Sequence, residues 1–421
     1  MTRAARLAIA AGFLVSCGSG PGLEDLPVSV PAESDWHEVG PILAAGPDGA
    51  WDRHLAGASS PSTVVRHDAL WWLYYGGADG LRDDDGGPRH RAIGLATSRD
   101  GVRFEKHGDG PVLSHLPTGH PEEGANSAAV ALAPDGRFVM HYGAATGFRA
   151  DQIHADLRAA RSADGRHFED VGLVLSREDP SVYGFGDEIF PIASYRYAGT
   201  WYVFYLPNGS PQSRDLAVAW GPSELDLGHT ALVLDGSPED PARCGANVVV
   251  LGDRVLVFVQ RGWKPHVRVE VRVAPAASPW ELGPPLRVWD GPLFREQTKF
   301  FTVTLDRERR TWLLYRLDWN GRFILHAAPS GAPDETPPSA PTRLAATRTP
   351  RGIRLAWSEA TDPDTGIGQY RVRCGGELVA ESVRLGWQGR TAAEECAVSA
   401  VNLHGIEGPA ATLRPGGDPA S

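Results

Sequence analysis

Four cysteines in 421 residues are too few for a dense disulfide framework, and no cysteine or histidine cluster has the spacing of a structural zinc site. Positive charge is also in the minority. With 41 Lys+Arg against 52 Asp+Glu, the formal net charge is -11, which argues against a nucleic-acid partner. Basic clusters such as Arg307-Glu308-Arg309-Arg310 are interrupted by acid and read as solvated turns. Beyond the amino terminus no segment is long and apolar enough to cross a membrane, and no convincing amphipathic helix emerges from the pattern. What the chain has in quantity is 49 glycines, 34 prolines and 13 tryptophans, a composition that fits many short strands separated by tight turns. Its length allows one large domain and a small one.

Thr2-Arg3-Ala4-Ala5-Arg6 is basic, and residues 7–15 form an uncharged apolar run closed by small residues before Cys17. At about 1.5 Å per residue the run falls short of roughly 30 Å of hydrocarbon, so it reads as a processing signal. Leu14-Val15-Ser16-Cys17 resembles the bacterial lipobox. That resemblance implies removal of residues 1–16, lipidation of Cys17 and a tether over residues 17–35 that begins with the flexible Gly18-Ser19-Gly20-Pro21-Gly22. The protein would then sit, membrane-bound through lipid, in the bacterial cell envelope outside the cytoplasm. In a Gram-negative cell the lack of aspartate after Cys17 implies the outer membrane. The alternative is an ordinary secretory signal with an incidental cysteine. With Cys17 assigned to lipid, Cys374 and Cys396 are the natural disulfide pair of an oxidising compartment, and Cys244, just before an apolar strand, is left as a buried thiol.

Residues 36–330 carry a loose internal repeat. Each unit runs from a polar entrance into an apolar strand, a turn and an aromatic strand. Ser62-Thr63-Val64-Val65 leads to Leu70-Trp71-Trp72-Leu73-Tyr74-Tyr75, and Ile189-Phe190-Pro191-Ile192-Ala193 to Thr200-Trp201-Tyr202-Val203-Phe204-Tyr205. A third strand ending in Ser-Arg-Asp-Gly or Ser-Ala-Asp-Gly follows in several units, then an outer segment. Four strands in each of five repeats predict an all-β fold built on a five-bladed β-propeller, with the segment around Trp36 to Leu43 pairing with the last blade to close the ring. A proline-rich link, residues 331–341, separates it from residues 342–415, whose alternating strands resemble a fibronectin type III domain: Trp357 stands at that family's core tryptophan and Gly405 in its final turn. Cys396 takes the place of the family's usual tyrosine.

The order of polar entrance, apolar strand, Tyr-Tyr strand, small residue, Ser and Asp-Gly resembles the five-bladed glycoside hydrolases of the arabinanase, xylosidase and fructosidase type. That resemblance implies a sugar held over the central channel by the innermost strands, with acids from the first three blades as base or nucleophile, orienting acid and general acid. In the first blade the candidate is Asp52, which either serves catalysis or caps a turn, with Trp51 beside it to stack on a sugar. In the third, Gly184-Phe185-Gly186-Asp187-Glu188 places Glu188 as the general acid, with Asp187 as a substrate-binding candidate on the alternate face of the strand. The second blade offers Asn126 where the family favours aspartate; the fourth repeats it as Gly245-Ala246-Asn247. The two asparagines are either channel-facing amides or repeated turn residues. Glu296 and Gln297 are the fifth-blade candidates. His67, His141 and His326 lack ligand spacing and read as packing or surface residues. The resemblance permits a channel ion, but no oxygen-ligand motif is present, so no metal or cofactor is expected. Two functions follow: a glycosidase working through Asp52 and Glu188, or a carbohydrate-binding propeller without the full acid set. A purely structural display protein is a third, weaker fit.

Overall fold

A computed structural model describes residues 26–55, 63–80, 91–114, 124–149, 152–184, 189–207, 215–237, 240, 242–262 and 267–414, with the backbone alone for 146–149, 152–154 and 242–246. Within these bounds the chain is almost wholly strand, because β-branched and aromatic runs alternate with turn-forming residues. A first strand, β1 (His37–Ala44), stands apart from the groups that follow it. Four successive groups then form antiparallel sheets in chain order. The first holds β2 (Thr63–His67), β3 (Leu70–Ala78), β4 (Arg91–Ser98) and β5 (Glu105–Lys106). The second holds β6 (Gly124–Leu132), β7 (Phe138–Arg149), β8 (Gln152–Ser162) and β9 (Glu169–Leu175). The third holds β10 (Ile189–Tyr197), β11 (Thr200–Pro207), β12 (Leu216–Gly221) and β13 (His229–Leu234). The fourth holds β14 (Ala242–Leu251), β15 (Arg254–Arg261), β16 (Arg268–Pro275) and β17 (Arg287–Trp289).

A short helix, α1 (Pro292–Arg295), leads into β18 (Phe300–Asp306), β19 (Thr311–Leu317) and β20 (Arg322–Pro329). These three strands make a fifth sheet whose fourth place is taken by β1, with His37 opposite Ala327 and Ala44 opposite Arg322. The start of the repeat region thus completes its last sheet, as expected from residues 36–43. The first strands of the sheets touch in succession, β2 to β6, β6 to β10, β10 to β14, β14 to β18 and β18 back to β2. The result is a propeller-like ring of four-stranded sheets.

One apolar cluster fills each seam between neighbouring sheets. Leu73, Tyr75, Tyr315 and Phe323 lie between the fifth and first, and Tyr74, Phe138 and Met140 between the first and second. Val139, Trp201 and Tyr205 fill the next seam, Phe204, Val218 and Val257 the one after, and Phe258, Trp289 and Trp312 the last. Burial on both faces explains why the middle strands are not alternating but continuously apolar. Every residue of β19 is buried.

The described part of the expected tether is not a free linker. Residues 29–33 form a strap that is bonded across the fourth and fifth sheets: Ser29 N donates to Ser330 O at 2.9 Å, Trp289 Nε1 to Pro31 O at 3.0 Å and Trp312 Nε1 to Ser29 O at 2.7 Å. Val30 and Trp36 are buried in the same cluster. These backbone carbonyls are the acceptors that two buried indoles need.

After the ring come β21 (Thr342–Thr349), β22 (Gly352–Ser358), β23 (Ile367–Cys374), β24 (Glu377–Ser382), β25 (Gly386–Gly389), β26 (Cys396–Asn402) and β27 (Glu407–Leu413). They form two sheets, β21-β22-β25 and β24-β23-β26-β27, around Trp357 and Tyr370. A disulfide joins Cys374 to Cys396, as expected. This unit is docked on the seam between the fifth and first sheets, where Val383 and Leu403 pack into the cluster that holds Val39. Polar contacts reinforce the docking: Arg103 pairs with Glu359, Thr311 Oγ1 lies 3.1 Å from His404 Nε2, and Asp334 N of the connecting segment donates to His404 Nδ1 at 2.7 Å. Among the described residues no helix is long and apolar enough to cross a membrane.

Candidate functional site

The first strands β2, β6, β10, β14 and β18 form the inner set of the ring, and four expected site residues lie on these strands or on the described segment before β18. Asn126 is 1 % exposed. It sits at a bulge of β6, where Asn126 faces Gly143 and Ala128 faces Tyr142, and the extra residue, Ser127, has φ +53°. Non-glycine residues seldom adopt that conformation, and such strain gathers where a side chain has to be re-aimed. Asn126 Oδ1 accepts from Ser127 N at 3.1 Å, while its buried Nδ2 has no hydrogen-bond partner among the described residues.

Asn247 occupies the matching place in the fourth sheet but is fully engaged. Its Nδ2 donates to Thr302 Oγ1 at 3.0 Å and its Oδ1 accepts from Val303 N at 3.1 Å. It clamps β14 to β18 across a seam. In the fifth sheet, Gln297 Oε1 and the Gln297 carbonyl accept from Arg316 at 3.2 and 3.0 Å, and Glu296 caps α1 as an exposed residue.

The first-sheet candidates turn out to pack on the flank. Asp52 is 4 % exposed, and its Oδ2 accepts from Lys106 Nζ at 2.6 Å and Tyr75 OH at 3.0 Å. Both partners are on β3 and β5, and Tyr75 belongs to the cluster between the fifth and first sheets. The Trp51 ring stacks on Tyr75 at 5.8 Å between centroids and lies where a Cβ on Gly94 would stand 2.5 Å from it. Glycine at that position therefore makes room for the indole. Trp51 and Asp52 together form a plug, with the carboxylate satisfied by a cation and a phenol, as a buried charge requires. Asp187 and Glu188 lie outside the described residues, as do Cys17 and the side chain of Cys244. Tyr183, ahead of Asp187 and Glu188 in the chain, donates its hydroxyl to Asp215 Oδ2 at 3.0 Å.

Sequence reasoning missed a charged network on the fourth sheet. Glu270, 4 % exposed, accepts from Arg268 at 2.7 Å and Arg272 at 2.7 Å, while Asp240 accepts from Arg261 at 2.7 Å and Arg268 at 2.7 Å. Paired arginines hold Asp240 down at about 2. The alternation Arg268-Val269-Glu270-Val271-Arg272 was the available signal, since period two places the three charges on one face. The histidines expected as packing residues are deeply buried at two positions: His141 bridges Ser194 Oγ at 3.2 Å and Glu224 O at 3.0 Å, and burial lowers its pKa to about 4. Among the described residues no group of three or more His, Cys, Asp or Glu is placed to hold a metal ion.

No family model matches the chain, and no curated protein matches it. Solved structures with a similar chain path include a glycosyl hydrolase from Bacteroides ovatus, at 14% identity and TM-score 0.47 over 69% of this chain and 93% of that one. A family-32 β-fructofuranosidase of Bombyx mori is similar at 12% identity and TM-score 0.49, over 89% of this chain and 88% of that one. A thermostable family-43 glycoside hydrolase is similar at 14% identity and TM-score 0.47, over 68% and 91%. The site is read from its own residues.

Proposed function

We propose that the five sheets are the blades of a five-bladed β-propeller, that residues 342–415 are a fibronectin type III-like sandwich, and that the protein, anchored by lipid on Cys17, engages a glycan over the propeller entrance. The observation that carries the glycan reading is Asn126: a buried amide near the start of an inner strand, held on a strained bulge, with its Nδ2 unpartnered among the described residues. Buried donors left unmade cost about 1–3 kcal/mol each, and a sugar hydroxyl is a fitting acceptor for them. Asp52, closed off by Lys106 and Tyr75, is a poor partner for two-carboxylate hydrolysis. Binding is therefore the reading the geometry supports best. Hydrolysis would fall to Glu188 with an acid other than Asp52, on the strength of the sequence resemblance.

The test is a panel of glycans offered to the full chain in detergent, alongside Asn126→Ala, Glu188→Gln and Asp52→Asn. Retention of a glycan by the parent, lost in Asn126→Ala and without release of reducing ends, supports a binding propeller. Turnover abolished by Glu188→Gln but kept in Asp52→Asn makes it a glycosidase with a different base. Failure of every glycan to bind overturns both.

A further inference from the structure

Three parts of the chain meet at one histidine. His404 lies in the turn that follows β26 of the carboxy-terminal unit. Its Nδ1 accepts from Asp334 N of the connecting segment at 2.7 Å, and its Nε2 stands 3.1 Å from Thr311 Oγ1 at the start of β19 in the ring. Thr311 already donates its hydroxyl proton to Arg309 O at 2.8 Å, so toward the imidazole its oxygen is an acceptor. The two contacts fix His404 as a neutral tautomer, with Nε2–H donating and Nδ1 accepting.

A second histidine backs the same turn. His37, the first residue of β1, faces Gly405, where a Cβ would stand 3.7 Å from its imidazole. Its Nε2 is buried and has no hydrogen-bond partner among the described residues, so a proton placed there finds no acceptor. β1 is the strand that completes the fifth sheet, and Val39, two residues on, packs with Val383 and Leu403 of the carboxy-terminal unit. The connecting segment, the closing strand of the ring and the unit are therefore joined around a pair of uncharged imidazoles.

A proton on either imidazole opposes this arrangement. On His404 it enters at Nδ1 and sets two donors against each other across the 2.7 Å contact with Asp334 N. The carboxylate of Asp334 is already engaged: Oδ1 accepts from Thr336 N at 2.8 Å, and Oδ2 from Thr365 Oγ1 at 3.0 Å and Asn402 Nδ2 at 3.1 Å. The other charges about His404 are Arg310 of the ring and Asp362 of the unit; those about His37 are His404 and Arg371 of the unit, with His326 behind it on β20. Burial holds both imidazoles below the ordinary histidine value of 6.5, His37 at about 4. Freed from the joint, each takes up its proton near 6.5. Their contribution to docking is thus complete above pH 6.5 and is lost as pH falls toward 4, with a weakening of about 30-fold at pH 5 from His37 alone.

We propose that this joint is an acid-operated latch: protonation of His404 and His37 unseats the carboxy-terminal unit and bares the closing strand β1, while the ring and the unit each stay folded. The latch does not depend on what the entrance binds. Amide hydrogen exchange of the full chain in detergent, pulsed at about pH 7.5 and about pH 5 and corrected for the intrinsic rate, tests it. In acid the amides of Asp334 and of β1 lose protection, that of Asp334 by about 30-fold, while β11, β15 and β23 keep theirs. His404→Asn combined with His37→Gln removes the acceleration, because Asn Oδ1 still accepts from Asp334 N and neither new side chain takes up a proton. His141→Gln leaves the acceleration in place. Equal protection of Asp334 in the two buffers, acceleration that survives the double variant, or a loss of protection spread equally over β11, β15 and β23 overturns the proposal. Should the double variant already be open in the neutral buffer, His37→Gln decides alone: it lessens the acceleration, and a parent-like response in it overturns the latch.

Discussion

Asn126 and Asn247 share the same local sequence, Gly-Ala-Asn, and the same place near the start of an inner strand, yet they do different work. Asn247 closes a seam with both ends of its amide, while Asn126 leaves its N–H donors unpartnered among the described residues. The cause is in the neighbouring sheet. Thr302 stands opposite Tyr315 on β18 and offers a hydroxyl; its counterpart on β10, opposite Tyr205, is Pro191, which has neither a side-chain hydroxyl nor a backbone N–H. Seam residues are thus recognised by what the next sheet presents, and an entrance residue by what it does not.

Perturbing the seams sets the scale. Lys106→Met strands the Asp52 carboxylate between the fifth and first sheets and lowers stability by about 3 kcal/mol, seen as a lower urea midpoint at unchanged slope. The His141 seam responds to acid. The unfolded histidine takes up its proton as pH falls through about 6.5, whereas the folded one stays neutral to about 4. Its contribution is present above pH 6.5 and drains away between those values, on the order of 2 kcal/mol by pH 4.5. His141→Gln flattens that part of the stability profile measured by thermal melting at stepped pH. Asn247→Ala leaves Thr302 and Val303 N unpaired for a loss of about 2 kcal/mol. Asn126→Ala costs about 1 kcal/mol or less but abolishes glycan retention; equal stability losses in the two asparagine variants would erase the distinction between them.

The repeat was legible because each middle strand is buried on both faces, so Trp71 to Tyr75, Trp201 to Tyr205 and Trp312 to Tyr315 announce themselves as aromatic runs. The pairing of the first strand with the last sheet and the disulfide between Cys374 and Cys396 followed from the same periodicity and from cysteine arithmetic. The fate of Asp52 was not legible. Lys106 is 54 residues away and Tyr75 is 23 residues away, and nothing near Asp52 in sequence signals either partner. Residues 26–35 looked like tether because glycine and proline precede them, whereas their carbonyls are needed by Trp289 and Trp312, more than 250 residues downstream. Local composition speaks to chain stiffness, and only the folded partner decides whether a polar segment is held.

The strap and β1 also determine how the ring carries load. Tension applied at the amino terminus first meets the strap's bonds to the fourth and fifth sheets, and then β1, which runs antiparallel beside β20 so that its hydrogen bonds share the pull. The carboxy-terminal unit is seated against Val39 of that same strand. It acts as a rivet over the joint: peeling β1 away requires unseating Val383 and Leu403 from the cluster they share with Val39.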